Sequence, residues 1–189
     1  LKKIFSPAKR SLKMGDFQEI KNIEGLQVSS VSADLYRNGR DDLSLFYFPD
    51  GSNYAVAYTQ NSIVSESIKW NRENSKNNIK ALVVNTKNAN TFTGDEGLSG
   101  LDDIAKTLTE SLRKFENENM YEKIKPKEIL FASTGVIGEK FPIIKIKYAI
   151  DKLLDKTESP NRFSWIAAAH TIMTTDTICK MAYESFPIG

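Results

Sequence analysis

The sequence contains two successive segments in which a short apolar run is followed by a polar loop and then by an amphipathic helix. In the first segment the run covers residues 80–85, and in the second it covers residues 128–132. Apolar side chains then recur at helical spacing in both segments, at Leu101, Ile104, Leu108, Leu112 and Phe115, and at Ile143, Ile146, Ile150 and Leu153. Alternating strands and helices of this kind predict an α/β layered fold.

Further elements are predicted before and after these two segments. Residues 42–48 alternate between polar and apolar side chains, stop at the turn-forming residues 49–52, and are followed by β-forming residues at 54–58. This pattern is typical of a β-hairpin. Residues 164–173 are rich in alanine and apolar side chains, which predicts a buried helix. Pro142 is expected in the first turn of the helix that it precedes.

Length and composition indicate one globular domain spanning residues 1–189. The chain is 40% hydrophobic and 26% charged, which is too apolar for intrinsic disorder. A formal net charge of only +2, with the two signs interspersed, argues against a nucleic-acid partner. No apolar run reaches the length of a membrane span, so no membrane partner is expected. Residues 1–15 are basic and lack acids, and we interpret roughly residues 1–20 as a solvated arm, the alternative being an organelle transit peptide.

The cysteine and histidine content limits the chemistry that this chain can perform alone. Cys179 and His170 are single residues of their kinds, so neither an internal disulfide nor a zinc site is predicted. His170 lies on the alanine-rich helix, where a core or rim position is the simpler interpretation. The neighbouring Lys180 could depress the pKa of the Cys179 thiol, but we expect Cys179 to be a bystander.

Three polar loops are the candidate sites. In residues 133–138, a buried strand stops at a Ser-Thr-Gly sequence. Gly135 allows a substrate oxygen to approach its amide, and Thr134 offers an amide and a hydroxyl, so two donors could stabilise an oxyanion there. An ordinary strand-to-helix turn explains the same residues, and on spacing alone that explanation is favoured.

The other two loops are also rich in short polar side chains. Residues 85–94 contain three amides and three hydroxyls, which suits a loop held by internal hydrogen bonds or, alternatively, amide contacts with a polar substrate. Residues 172–177 end the alanine-rich helix with three threonines and a carboxylate. Helix termination and binding of a carboxylate or an amide explain this sequence equally well.

Taken together, the three loops resemble those of the ornithine acetyltransferase (glutamate N-acetyltransferase) family. The resemblance runs through Ser-Thr-Gly-Val-Ile-Gly at 133–138, Met-Thr-Thr-Asp-Thr at 173–177, and Asn-Ala-Asn followed by Thr-Gly within 88–94. Residues 40–45 and 58–61 resemble the early strands of the family more loosely. The similarity extends from about residue 25 to the end of the chain and implies the α/β sandwich of an autoprocessed N-terminal-nucleophile enzyme, with a fold like that of DmpA.

The resemblance implies a role for this chain as the α chain of a precursor that cleaves itself before a threonine. That threonine becomes the nucleophile of a β chain and lies outside residues 1–189. Thr134 and Gly135 would form the oxyanion hole, and Thr174 would contact the substrate. The implied reaction, which belongs to arginine biosynthesis, transfers an acetyl group from N2-acetyl-L-ornithine to L-glutamate through an acetyl-threonine intermediate.

The resemblance also implies the setting of that reaction. No cofactor or metal is expected, although bifunctional members of the family use acetyl-CoA as a further acetyl donor and are then also amino-acid N-acetyltransferases. The implied assembly is an α2β2 heterotetramer or a larger oligomer in the cytoplasm. The sequence does not distinguish monofunctional from bifunctional members.

Three departures from the family pattern bear on the acyl acceptor. Lys87 stands where the family has glycine, Ile178-Cys179 stands in place of a Phe-Pro pair, and residues 65–67 read Ser-Glu-Ser instead of Ala-Ala-Pro. Two alternatives therefore stay open. One is an N-terminal-nucleophile amidohydrolase or aminopeptidase relative, which would pass the acyl group to water, and the other is a non-catalytic binding domain.

Overall fold

The computed structural model describes residues 20–74, 78–115 and 124–187. Almost all of the predicted N-terminal arm lies outside these residues. The described residues contain a four-stranded sheet in the order β1-β2-β3-β4, formed by β1 (Gln27–Val31), β2 (Leu43–Asn53), β3 (Asn78–Asn85) and β4 (Ile129–Ser133). Strand β2 pairs antiparallel with both β1 and β3, whereas β3 and β4 pair in parallel.

Helices cover both faces of the sheet. They are α1 (Glu66–Asn74), α2 (Gly94–Phe115), α3 (Ile143–Asp155) and α4 (Arg162–Thr171), and a 3₁₀ turn at Pro126–Glu128 precedes β4. The apolar stripes of α2 and α3 pack together over one face, α1 packs beside β4, and α4 packs against β1. The α/β layered fold predicted from the sequence is confirmed.

The main core is formed largely by the apolar residues of the two strand-loop-helix segments. Alternate residues of the strands, such as Leu45 and Val83, point to the same side as the stripe of α2, in which Leu101, Ile104, Leu108 and Leu112 are almost completely buried. A smaller cluster on the opposite face joins Val28 to Ala168 of α4. Burying these apolar surfaces supplies the main driving force for folding.

The predicted hairpin within residues 42–58 is wrong. Residues 43–53 form one continuous strand, and residues 54–58 are not in a strand. The turn-forming residues are accommodated as an irregularity between Tyr47 and Ser52, where Gly51 adopts a φ of +78° before pairing with β3 resumes. A bulge of this kind absorbs extra residues without reversing the chain.

The position of α4 is predicted correctly, but the helix is less buried than predicted. Ala168 and Ala169 are buried, whereas Phe163 and His170 are exposed, so only one face of the helix contacts the sheet. Pro142 is the cap residue before α3 and not part of its first turn. The strands predicted at 80–85 and 128–132 and the two amphipathic helices are confirmed.

Candidate active site

The candidate site lies at the edge of the sheet where β3 and β4 end. Because these two strands are parallel and Asn85 pairs with Ser133, the loops that follow them emerge side by side. We call residues 86–93 the first loop and residues 134–142 the second loop. Strand β2 starts at the same edge, since Leu43 is the partner of Asn85.

Backbone hydrogen bonds continue the pairing of β3 and β4 into the two loops. The N–H of Val136 donates to the carbonyl of Lys87 at 2.7 Å, and the N–H of Ala89 donates to the carbonyl of Val136 at 3.0 Å. Further along, the N–H of Gly138 donates to the carbonyl of Thr91 at 2.9 Å. The two loops therefore form one bonded unit and not two independent connections.

Gly135 is required by this arrangement for two reasons. Its φ is +138°, in a region that residues with a side chain rarely adopt. A Cβ at this position would lie 2.2 Å from the carbonyl carbon and oxygen of Lys87, and 2.7 Å from the amide nitrogen of Asn88. The residue is exposed, and its own N–H has no acceptor among the described residues.

Thr134 has its amide and its hydroxyl in different situations. The N–H donates to the carbonyl of Asn85 at 3.1 Å, so it cannot also be directed at a substrate. The hydroxyl makes no hydrogen bond within the described part of the chain, and the residue is half-buried. Of the two Thr134 donors considered from the sequence, only the hydroxyl remains available beside the N–H of Gly135.

The amide side chains of the first loop bind the second loop, α2 and the first loop itself, and none is left for a substrate. Asn88 Nδ2 donates to the carbonyl of Lys140 at 3.1 Å, and Asn90 Nδ2 donates to that of Gly97 at 3.3 Å. Both asparagines are buried, and Asn90 Oδ1 accepts a hydrogen bond from Thr93 Oγ1 at 2.6 Å. The interpretation of this loop as internally hydrogen-bonded is confirmed.

Lys87 keeps the backbone shape that glycine would adopt most easily. Its φ is +73°, and Asn90 and Phe92 in the same loop also have positive φ. Lys87 Nζ lies 3.3 Å from Glu139 Oε1, which adds an ion pair between the two loops. The loop thus tolerates the Cβ of Lys87, because its backbone is fixed by pairing with the second loop.

Residues 65–67 contact the first loop and the end of β4, although sequence reasoning assigned no role to α1. The N–H of Glu66 donates to the carbonyl of Asn90 at 2.9 Å, and Ser67 Oγ lies 2.8 Å from Ser133 Oγ. Buried Glu66 also pairs with Lys69 at 3.1 Å. The helix start is therefore part of the frame behind the second loop.

Thr174 is exposed beyond the end of α4, and no hydrogen bond among the described residues joins 173–177 to the second loop. Arg40 fixes this segment, because its Nη2 donates to the carbonyls of His170, Thr171 and Met173, the last at 3.0 Å. Arg40 lies just before β2, at the edge where the two loops emerge. The fold brings Thr174 to the same edge as Thr134.

Asp42, also missed from the sequence, connects this edge to the rest of the fold. Its fully buried carboxylate accepts hydrogen bonds from the amides of Ala33 at 2.7 Å and Leu35 at 2.8 Å. Its backbone carbonyl accepts the N–H of Thr86 at 3.0 Å. The pair of acids Asp41 and Asp42 directly before β2 was the only sequence signal for this role.

Cys179 is a buried thiol with a raised pKa. Burial disfavours the thiolate and raises the pKa, while the positive charge of Arg40 lowers it by a smaller amount. Its Sγ lies 3.4 Å from Met173 Sδ. The alternative of a depressed pKa is wrong, and the interpretation of Cys179 as a bystander is favoured.

Residues 20–74, 78–115 and 124–187 contain no group of three or more His, Cys, Asp or Glu side chains placed to hold a metal ion. Within the same ranges, no helix has both the length and the apolar character needed to cross a membrane.

These features define an α/β layered domain with a polar site at the edge where its two parallel strands end. The sequence profile of the ArgJ family matches residues 27–189, and the chain belongs to this family. It is 31% identical to the arginine biosynthesis bifunctional protein ArgJ of Bartonella quintana over 92% of this chain, and 35% identical to that of Gluconobacter oxydans over 90%. The chain spans about two fifths of the length of these relatives, 39% and 38% respectively.

Solved structures share the fold. The arginine biosynthesis bifunctional protein ArgJ of Bacillus halodurans superposes with a TM-score of 0.70 at 26% identity, covering 82% of this chain and 75% of that one. An ornithine acetyltransferase complexed with ornithine, from Mycobacterium tuberculosis, gives a TM-score of 0.74 at 24% identity, covering 82% and 78%. The expected resemblance to the ornithine acetyltransferase fold is therefore confirmed.

Proposed function

We propose that this chain is the α chain of an acetyltransferase of arginine biosynthesis that transfers an acetyl group from N2-acetyl-L-ornithine to L-glutamate. The observation that carries the proposal is that two hydrogen-bond donors of the Thr134-Gly135 turn are unoccupied within the described part of the chain. The N–H groups on either side, those of Thr134 and Val136, are hydrogen-bonded within the fold, whereas the Gly135 N–H and the Thr134 hydroxyl have no partner among the described residues. Membership of the ArgJ family and the names of its relatives support the choice of reaction.

The chemistry requires a nucleophile from a second chain. The N-terminal threonine of the β chain would lose its hydroxyl proton to its own α-amine while its oxygen attacks the acetyl carbonyl of the substrate. The carbonyl oxygen becomes negatively charged as the tetrahedral intermediate forms. The Gly135 N–H and the Thr134 hydroxyl would donate hydrogen bonds to that oxygen, which stabilises the intermediate more than the neutral substrate.

Collapse of the intermediate breaks the C–N bond, and the ornithine nitrogen takes up the proton as it leaves. The acetyl group is then an ester of the threonine. The amine of glutamate attacks this ester through a second tetrahedral intermediate at the same oxyanion hole, which releases N-acetylglutamate and restores the threonine. Thr174 would contact the amino-acid substrate, and the partners would be a β chain from the same precursor and a second αβ unit in the cytoplasm.

The test is acetyl transfer by the full-length protein carrying Thr134→Val or Thr134→Ser. Val keeps the shape of the side chain but removes the hydroxyl, and loss of one oxyanion donor lowers kcat by about 100- to 1,000-fold. Ser keeps the hydroxyl and should retain most of the activity. Gly135 is unsuitable for this test, because any side chain there collides with the backbone of Lys87.

Product analysis separates the proposal from its alternatives. The wild-type protein should appear as two fragments and should form N-acetylglutamate only when glutamate is present. Release of acetate at the same rate without glutamate would identify an amidohydrolase instead. An uncleaved protein, or equal activity of Thr134→Val and wild type, would refute the proposal. A parallel assay with acetyl-CoA as the acetyl donor distinguishes the bifunctional from the monofunctional reaction.

A further inference from the structure

Asn85, the last residue of β3, uses all of its side-chain polar atoms on the first loop and on Ser133 at the end of β4, and its backbone carbonyl contacts the second loop. Its Nδ2 donates to the backbone carbonyls of Thr86 at 3.2 Å and Asn88 at 3.0 Å. Its Oδ1 accepts a hydrogen bond from Ser133 Oγ at 2.7 Å, and its backbone carbonyl accepts the N–H of Thr134 at 3.1 Å. Asn85 is 4% exposed, so water does not replace these contacts.

The partners of Asn85 determine the direction of a hydrogen-bond chain behind Thr134 and Gly135, which we call the oxyanion turn. Both hydrogens of Nδ2 are directed at carbonyl oxygens, so Oδ1 is the acceptor on the other side, and a flipped amide would place its oxygen against two carbonyls. The single hydroxyl hydrogen of Ser133 must then point to Asn85. The hydroxyl of Ser67, 2.8 Å from Ser133 Oγ, is left as the donor to Ser133.

This chain fixes the two residues from which the oxyanion turn continues. Ser133 is held through its side chain, and Thr134 is held through its amide, both on Asn85. The next backbone N–H, that of Gly135, and the Thr134 hydroxyl take their directions from these two anchors. The carbonyls of the first loop that Asn85 binds flank Lys87, whose own carbonyl accepts the N–H of Val136 just beyond Gly135.

We propose that Asn85 is the positioning residue of the oxyanion hole, with Ser133 and Ser67 completing its support. This inference rests on the function proposed above. The backbone carbonyl of Asn85 binds the Thr134 amide, as that of any residue at this position would, whereas its side chain holds Ser133 and the first loop. Through these side-chain contacts Asn85 orients the remaining two donors without touching the substrate itself. Because those donors act on charge that exists only in the transition state, loss of Asn85 lowers kcat while the KM for acetylornithine stays nearly constant.

The experiment compares Asn85→Ala with Asn71→Ala in the full-length, processed enzyme. Asn71 is a matched control, because it is also a buried asparagine bonded to backbone, with Nδ2 on the carbonyl of Phe131 at 2.9 Å and Oδ1 on its N–H at 2.9 Å. Both changes should destabilise the fold. Only Asn85→Ala should also lower kcat, by about 10- to 100-fold, since misplacement by about 1 Å has an effect of that size.

A milder variant covers the case in which Asn85→Ala does not fold. Ser133→Ala removes one hydroxyl from the chain and should reduce kcat by several-fold. Its control is Ser30→Ala, which removes a hydroxyl that pairs with Ser44 between β1 and β2 at 2.8 Å, and which should leave kcat unchanged. If kcat falls equally for Ser133→Ala and Ser30→Ala, or for the two asparagine variants, Asn85 has no positioning role.

Amide hydrogen exchange keeps the inference separate from the proposed reaction. Asn85→Ala or Ser133→Ala should selectively increase exchange at the hydrogen-bonded amides of Thr134 and Val136, whereas Asn71→Ala and Ser30→Ala should not. If the wild-type enzyme shows no acetyl transfer but this selective effect is present, the proposed reaction fails while the positioning of the turn stands. Unchanged exchange at 134–136 in both site variants would overturn the inference whatever the enzyme catalyses.

Discussion

The turn at Thr134 and Gly135 and the segment that carries Thr174 lie at the same edge of the sheet, but they are held there in different ways. The turn around Gly135 is fixed by backbone hydrogen bonds that continue the pairing of β3 and β4. The segment after α4 is irregular and largely exposed, and one side chain, that of Arg40, binds the carbonyls at its start. The first region is an extension of the sheet, and the second is attached to it.

The difference suits the two tasks proposed for them. Donors that stabilise a transition state must already be in place, because moving them during the reaction costs energy that they would otherwise supply. Such donors are best built from backbone within a bonded network. A residue that contacts the bound substrate, as proposed for Thr174, tolerates adjustment on binding, and an irregular segment permits it.

The largest expected effect comes from adding a Cβ to the turn. Gly135→Ala combines an unfavourable backbone conformation with a collision against the backbone of Lys87, so we expect the free energy of unfolding to fall by about 3–5 kcal/mol. Urea denaturation measures this change in the free energy of unfolding. The control is Gly39→Ala, where φ is +68° but nothing lies within 4 Å of the added atom; an equal loss in both variants would show that the packing of Gly135 on the first loop is unimportant.

Removing Arg40, which holds the segment after α4, should have a more local effect. Arg40→Ala leaves the carbonyls of Thr171 and Met173 without their donor, at a cost of about 1–3 kcal/mol. Hydrogen exchange should increase around residues 172–176 and not at 134–136, and under the proposed function KM should rise more than kcat falls. The control is Arg72→Ala, whose guanidinium also binds a carbonyl, that of Thr59, and lies over the Tyr58 ring. Equal exchange in the two regions would show that they are coupled.

A smaller effect is expected from titration of Cys179 beneath the attached segment. Burial raises the pKa of this thiol in the folded protein, so the neutral thiol contributes stability at neutral pH that is lost as pH rises through the folded pKa. The unfolding free energy of the wild type should therefore fall more between neutral and alkaline pH than that of Cys179→Ala. Identical pH profiles would show that the segment leaves the thiol open to water.

The smallest effect is expected from the ion pair between the two loops. Lys87 and Glu139 have side chains that are 36% and 41% exposed, so their attraction is screened, and Glu139→Gln should change stability by less than about 1 kcal/mol. Thermal unfolding at low and high salt measures this. A larger loss would mean that side chains, and not the paired backbones, hold the two loops together.

The parts of the fold that could be predicted from the sequence are those in which burial has a clear period. Strands β3 and β4 and helices α2 and α3 were found because their apolar residues repeat at the spacing of their own element. The residues near Gly51 predict a turn from the sequence, since the same residues suit both a chain reversal and a bulge. The actual form of this segment depends on β3, which continues pairing on the far side of the irregularity.

The site was predictable only as a set of polar turns. The identity of Thr134 and Gly135 was visible in the motif, but the loss of the Thr134 amide to Asn85 depends on which strand lies beside β4. The roles of Asn85 and Ser67 likewise arise from contacts between elements that are distant in sequence. One-dimensional spacing carries no information about such neighbours.

The parallel pairing of β3 and β4 has a consequence for how the gene can change. The same separation in sequence holds at every paired position, from Ala81 with Ile129 to Asn88 with Val136. Insertions between α2 and β4 fall outside the paired positions and leave this alignment intact. Deletion of Thr134 would move Val136 to the place where Gly135 now fits, so length variation should accumulate between α2 and β4 and be purged from the paired parts of the loops.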